Sequence, residues 1–221
     1  MHGWGGSFRN TWQKSGFTAL LEDADRTVIG VDLLGHGEAP KPHDPDAYDD
    51  LTTRIVDVLP DEPVDAVGFS LGAMTLLRLA CRAPDRFARL VLAGIGENVF
   101  SDDTSGTRKI VAALEGDVDP EDNQARLFVQ YAEQPGNDRA ALCAIMRRPW
   151  RQPFTEDELV SVICPTLIAI GDRDFAGPGD RLAKALPNAQ LATLKKVDHF
   201  ATPESFAFID ATLEFLDATP G

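Results

Sequence analysis

The pattern of apolar runs predicts an α/β fold: a doubly wound, mostly parallel sheet carrying a small helical cap insertion. Three observations lead there. Short β-branched runs alternate with helical patterns over the first and last parts of the chain, which is the signature of strands laid parallel by crossover helices. That rhythm stops between about residues 100 and 161, where three helical patterns stand and no strand signal does. Finally, Gly68-Phe69-Ser70-Leu71-Gly72 joins an expected strand to an expected helix, with glycine on either side of a serine.

Taken in order, the glycine-rich opening His2-Gly3-Trp4-Gly5-Gly6 reads as a loop feeding a helix over Phe8 to Leu21. Thr27 to Val31 is a continuous β-branched run, read as a buried strand that ends at Asp32. Leu33 to Pro42 is a turn-rich loop containing Gly35-His36-Gly37. Asp46 to Leu59 carries Leu51, Ile55, Val58 and Leu59 at helical spacing, until Pro60 and Pro63 break it. Val64 to Val67 is then a strand, Leu71 to Arg82 a helix, and Arg89 to Ile95 a second buried strand. The insertion shows helical patterns near Thr107 to Leu114, Glu121 to Tyr131 and Arg139 to Met146. Strand and helix resume at Thr166 to Ile170, Gly179 to Leu186, Gln190 to Leu194 and Glu204 to Leu216. The expected organisation is a core of 1–99 and 162–221 around a cap of 100–161. No internal repeat interrupts it.

Composition narrows the function. The 221 residues suffice for one sizeable domain that needs no disulfide or metal to hold it. With 35 acidic against 21 basic residues, the net charge of −14 disfavours nucleic acid and anionic membrane as partners. Cys81, Cys143 and Cys164 have no metal-ligand or disulfide spacing and are expected as reduced thiols of a cytoplasmic protein. Neither a signal peptide nor a membrane span is expected, and the oligomeric state is left open.

The chemistry centres on Ser70. A serine on a tight strand-to-helix turn has a strained backbone and is thrust into the cleft above the sheet, and small neighbours relieve the crowding. The pentapeptide alone is a weak signal; its strand and helix give it weight. A hydroxyl needs a base within hydrogen-bond reach and a group that orients that base. Of four histidines, His2 and His36 lie on glycine-flanked loops and His43 in a proline-rich one. His199 follows the last strand, at the carboxyl edge where Ser70 also sits and where α/β sheets gather their ligands. The acid comes from Gly171-Asp172-Arg173-Asp174. Asp174 is favoured because it lies farther along the loop, whereas Asp172 suits capping of backbone N–H groups. Asp32 and Asp198 are weaker competitors.

HGWGGS, DLLGHG, GFSLGA, GDRD and DHF, in that order, resemble the α/β-hydrolase superfamily in its capped, esterase-like branch. The resemblance covers nearly the whole chain. It implies Ser70 as nucleophile, His199 as general base and then acid, Asp174 as orienting carboxylate, and an oxyanion hole from the backbone N–H groups of Trp4 and Leu71. The expected activity is cofactor-free, metal-free two-step acyl transfer on a small-molecule carboxylic ester or lactone. A thioesterase, a perhydrolase or a carbon–carbon bond hydrolase is possible on the same triad, and a non-catalytic ligand-binding protein is the alternative from another class.

The resemblance also carries departures. Members have a strand ahead of the His-Gly loop, lying in the sheet between the segments at Thr27 and Val64, and the expectation is that Met1 is internal to a longer natural chain. If Met1 is the true start, the Trp4 half of the oxyanion hole loses support. Glu38-Ala39 follows the glycine loop where serine is common, and Ala73-Met74 lacks the arginine of a menaquinone-pathway synthase. Phe200 stands where carbon–carbon hydrolases place tryptophan. A serine nucleophile separates the chain from dehalogenases and epoxide hydrolases, which use aspartate. Phe69, Phe100, Phe128, Tyr131, Met146, Trp150 and Phe200 are candidates for an apolar substrate pocket, with packing of the cap as their alternative role. Arg147, Arg148 and Arg151 are either a carboxylate site or a solvated helix end, and Lys195 and Lys196 are assigned to the surface.

Overall fold

The computed structural model describes residues 1–149 and 152–219. Trp150 and Arg151, both candidates above, lie outside the described residues.

Four strands form one parallel sheet: β1 Val64–Phe69, β2 Phe87–Ala93, β3 Thr166–Gly171 and β4 Ala189–Leu194, side by side in chain order. Around them lie α1 Phe17–Asp23, α2 Thr53–Val56, α3 Leu71–Arg82, α4 Ser105–Leu114, α5 Asn123–Ala132, α6 Arg139–Met146, α7 Glu156–Leu159, α8 Asp180–Ala185 and α9 Phe206–Phe215. Successive side chains of a strand point to opposite faces. Leu90, Leu92 and Ile168 therefore meet Leu76 and Leu77 of α3 and Leu182 of α8 on one face. Val91, Leu167 and Ala169 meet Phe17 of α1 and Phe208, Ile209 and Leu213 of α9 on the other. The central strands β2 and β3, covered on both faces, are nearly unbroken apolar runs, whereas β1 is half-buried over most of its length and β4 leaves Gln190 and Thr193 exposed.

Helices α4 to α7 occupy the interval between β2 and β3, and sequence explains three of their starts. Asp122 accepts from the Ala125 N–H, Asp138 accepts from those of Ala140 and Ala141, and Thr155 and Glu158 form a reciprocal capping box. Ile110, Leu114, Phe128, Leu142 and Ile145 from this interval share a core with Trp4, Leu33, Tyr48 and Leu71, which closes it over the carboxyl edge of the sheet. Among the described residues, no helix is long and apolar enough to cross a membrane.

Three expectations about elements are corrected. Thr27 to Val31 joins no strand of the sheet, and Ile29 is 50% exposed. An apolar cleft of about 430 Å³ separates it from β1, lined by Val28, Ile29 and Val31 on one side and Val64, Ala66 and Val67 on the other. The β-branched run has the composition of a strand and, among the described residues, no strand to pair with. The free edge of β1 is met only at its end: the Met1 amine donates to the Val67 carbonyl, and the Met1 carbonyl accepts from the Phe69 N–H at 3.0 Å. The second correction is the expected helix over Phe8 to Leu21. It divides into a five-residue π-helical turn, Arg9–Gln13, and α1, because Gly16 takes the left-handed conformation at φ 80°. The helical pattern of 46–59 is likewise shortened to a 3₁₀ turn, Pro45–Tyr48, and α2.

Candidate active site

Parallel strands deliver their following loops to one edge, and three such loops build the site. Ser70 follows β1 directly, at φ 51° and ψ −114°, a conformation that side chains rarely adopt. It is over-determined by its neighbours: the Ser70 N–H donates to the Ala93 carbonyl at 2.8 Å, and its carbonyl accepts from the Met74 N–H at 2.9 Å. Close approach explains both flanking glycines. A methyl group at Gly68 would stand 2.8 Å from the Ala73 backbone, and one at Gly72 would stand 2.5 Å from the His2 carbonyl.

His199 lies in the loop after β4, with its Nε2 2.9 Å from the Ser70 hydroxyl oxygen. Its Nδ1 lies 2.9 and 3.0 Å from the two carboxylate oxygens of Asp174, in the loop after β3. A carboxylate only accepts, so Nδ1 carries the hydrogen and Nε2 is free to accept the Ser70 O–H. Both Asp174 and His199 are buried. The Asp174 carboxylate is held in turn by the Ala176 N–H at 2.8 Å. The arrangement can therefore move a proton from Ser70 to His199 while a fixed negative charge faces the imidazolium that forms.

The competing acids have other partners. Asp172 accepts from the Lys196 N–H at 2.7 Å, and Asp198 from the Ala201 N–H at 3.0 Å. Asp32 anchors the two glycine loops by accepting from the Phe8 and Glu38 N–H groups at 2.7 and 2.8 Å. Of the other histidines, His43 is exposed against Asp138. His2 is buried: its Nδ1 lies 2.8 Å from the Gly3 carbonyl, and its Nε2 accepts from the Leu33 N–H at 3.1 Å. Accepting at Nε2 requires a neutral ring, and burial holds His2 well below the usual histidine range. Its 3.5 Å approach to Asp32 is therefore a contact of a neutral imidazole and not an ion pair. His36, 5.0 Å from it between ring centres, is pushed down to about 4, chiefly by burial.

The N–H groups of Trp4 and Leu71 find no acceptor among the described residues, and each flanks Ser70: Leu71 as its chain neighbour, Trp4 through Gly3, which packs on Phe69 and Ser70. The Trp4 loop is pinned from the insertion. Its indole N–H donates to the Leu142 carbonyl at 3.1 Å, and the Asn137 amide bridges the Gly5 and Tyr131 carbonyls at 2.8 Å each.

Of the pocket candidates, Phe69 lies 4.9 Å from the His199 ring, and Phe128, Tyr131 and Phe200 form a ring cluster beside it. Met146 packs at the margin of the same core. Phe100 is elsewhere: it packs on the α3 and α8 face of the sheet, with the Arg181 guanidinium 4.0 Å above its ring. Arg147 pairs with Glu115, and Arg148 donates to the Ile145 carbonyl. Sequence reasoning missed Phe175, whose ring centre is 4.2 Å from that of His199. The one available signal was an aromatic residue directly after Asp174 in an otherwise polar turn. Asn137 gave no signal at all.

Comparison with known proteins agrees with this architecture. The family model described as the alpha/beta hydrolase fold matches residues 1–136. The chain is 26% identical over 255 residues to a pimeloyl-[acyl-carrier protein] methyl ester esterase of Neisseria meningitidis, spanning 97% of this chain and 77% of that protein. Among solved structures, a marine microorganism esterase superposes with a TM-score of 0.70 at 23% identity, covering 97% of this chain and 93% of that one. The enol-lactonase of Burkholderia xenovorans gives a TM-score of 0.66 at 20% identity, covering 98% and 89%. At these identities the structural likenesses establish the fold.

Proposed function

The chain belongs to the alpha/beta hydrolase fold family and is a hydrolase, and from that premise we propose that it cleaves carboxylic esters or lactones through an acyl-serine intermediate. The observation that carries the proposal is the continuous line from the Ser70 hydroxyl through His199 to Asp174, with 2.9 Å at each junction. Ser70 attacks the ester carbonyl as His199 Nε2 takes its proton. The oxyanion of the tetrahedral intermediate is received by the Trp4 and Leu71 N–H groups, each worth roughly 10²–10³ in rate where such donors have been removed. His199 then protonates the departing alcohol, and water repeats the sequence to free the acid. Asp174 keeps the imidazole in the one tautomer that serves both steps. Helices α4 to α6 supply the part of the insertion that caps the substrate, while Phe100, Phe154 and Leu159 pack on the α3 and α8 face of the core. The aromatic rings gathered beside His199 suit a small-molecule ester.

Labelling by a fluorophosphonate and turnover of p-nitrophenyl esters test the proposal. Ser70→Ala is expected to lose both while unfolding at the same urea concentration as the parent. Undiminished turnover in that variant, or a folded parent that takes no label, overturns the assignment.

A further inference from the structure

Four aromatic rings from three separate segments converge beside His199. Phe175, in the loop after β3, lies against the imidazole at 4.2 Å and an interplanar angle of 35°, yet remains 47% exposed. Its ring stands 6.2 Å from Phe128 of α5 and 6.1 Å from Phe200, and Phe200 stands 5.0 Å from Tyr131. An apolar wall therefore flanks the base, and about half of Phe175 stays accessible.

The proton path decides which end of a substrate meets that wall. His199 Nε2 must reach both the Ser70 oxygen and the oxygen of the leaving alcohol. The alcohol portion of an ester accordingly departs on the imidazole side. Resting on the serine-hydrolase assignment above, we propose that Phe175, with Phe128, Tyr131 and Phe200, forms an alcohol-side subsite that selects esters of aromatic alcohols. Ring-on-ring contacts of this kind favour an aryl group over an alkyl group beyond the area it buries. Burial first, and the Glu204 and Asp198 carboxylates further, raise the Tyr131 hydroxyl, so it stands in that wall as a neutral phenol.

Three substrates separate the sides of the reaction: benzyl acetate, ethyl acetate and ethyl phenylacetate, none of which has an activated leaving group. The parent is expected to hydrolyse benzyl acetate with kcat/KM about tenfold above that for ethyl acetate. Phe175→Ala is expected to shrink that ratio about tenfold, and Phe175→Leu, which keeps apolar bulk without the ring, to shrink it in the same direction. If the advantage follows ethyl phenylacetate instead, or Phe175→Leu lowers all three rates equally, the subsite is wrong while the serine chemistry stands. If the parent turns over none of the three and takes no fluorophosphonate label, the serine assignment falls and the subsite with it.

Discussion

Replacing Gly72 by alanine tests the packing that supports the reactive serine. Gly72 is helical, so the substitution has no φ penalty and gains up to about 1 kcal/mol of helix propensity. Its cost is steric. The new methyl carbon would lie 2.5 Å from the His2 carbonyl oxygen and 2.7 Å from that of Met1. Ordinary contact begins at 3.4 Å, so the opposing backbone must retreat by about 0.9 Å. Those carbonyls belong to the segment that runs into Gly3 and Trp4, and an oxyanion donor works only over a few tenths of an ångström around 2.9 Å. Loss of the Trp4 donor is expected to lower kcat by roughly 10²–10³ with little change in KM, because the interaction exists only in the transition state. Overpacking is expected to lower stability by about 1–3 kcal/mol, offset in part by helix propensity. Steady-state hydrolysis of p-nitrophenyl butyrate and urea unfolding read the two effects. Gly106→Ala is the control. A methyl group there meets nothing within 4 Å, so stability should rise by about 0.5–1 kcal/mol with unchanged turnover. A Gly72→Ala enzyme with kcat within about twofold of the parent would refute the reasoning about the loop.

Other expectations follow from the same geometry. Asp174→Asn presents an amide to His199 Nδ1 in place of a carboxylate, and kcat should fall about 10⁴-fold while the Ala176 N–H keeps its acceptor; full activity would remove Asp174 from the mechanism. His36 is neutral in the fold down to about pH 4, whereas the unfolded chain binds that proton near pH 6.5. Its contribution to stability is therefore present above pH 6.5 and lost progressively as the pH falls toward 4, to a total of about 3 kcal/mol, and buried His2 acts in the same direction. Urea midpoints between pH 7 and pH 4 should fall in the parent and less steeply in His36→Gln; parallel slopes would contradict the assignment.

Much of this was legible before any coordinates. The runs at Val64, Arg89, Thr166 and Gln190 are strands whose ends moved by no more than about two residues, and the two central ones are apolar on both faces because the sheet is covered twice. Arg139 to Met146 was read to the residue, helped by the Asp138 cap that fixes its start. Other features were not legible because a run of side chains does not state its neighbours. Thr27 to Val31 has strand composition, yet pairing is a property of two segments and, among the described residues, no strand lies against it. Phe100 and Phe175 are equally aromatic in the sequence; loop geometry directs one under Arg181 and the other onto His199.

The sequence by itself determined the alternation of strands and helices, the helical interruption, and the small set of residues from which the candidate site is drawn. It could do so because periodicity, glycine placement and a shortage of histidines are local facts. Tertiary structure alone decided the rest. It set the Asp174 carboxylate against His199, placed a neutral buried His2 under the Trp4 loop, and raised an aromatic wall beside His199. Each of those joins residues 24 to 31 apart in the chain, which only the packed fold brings into contact.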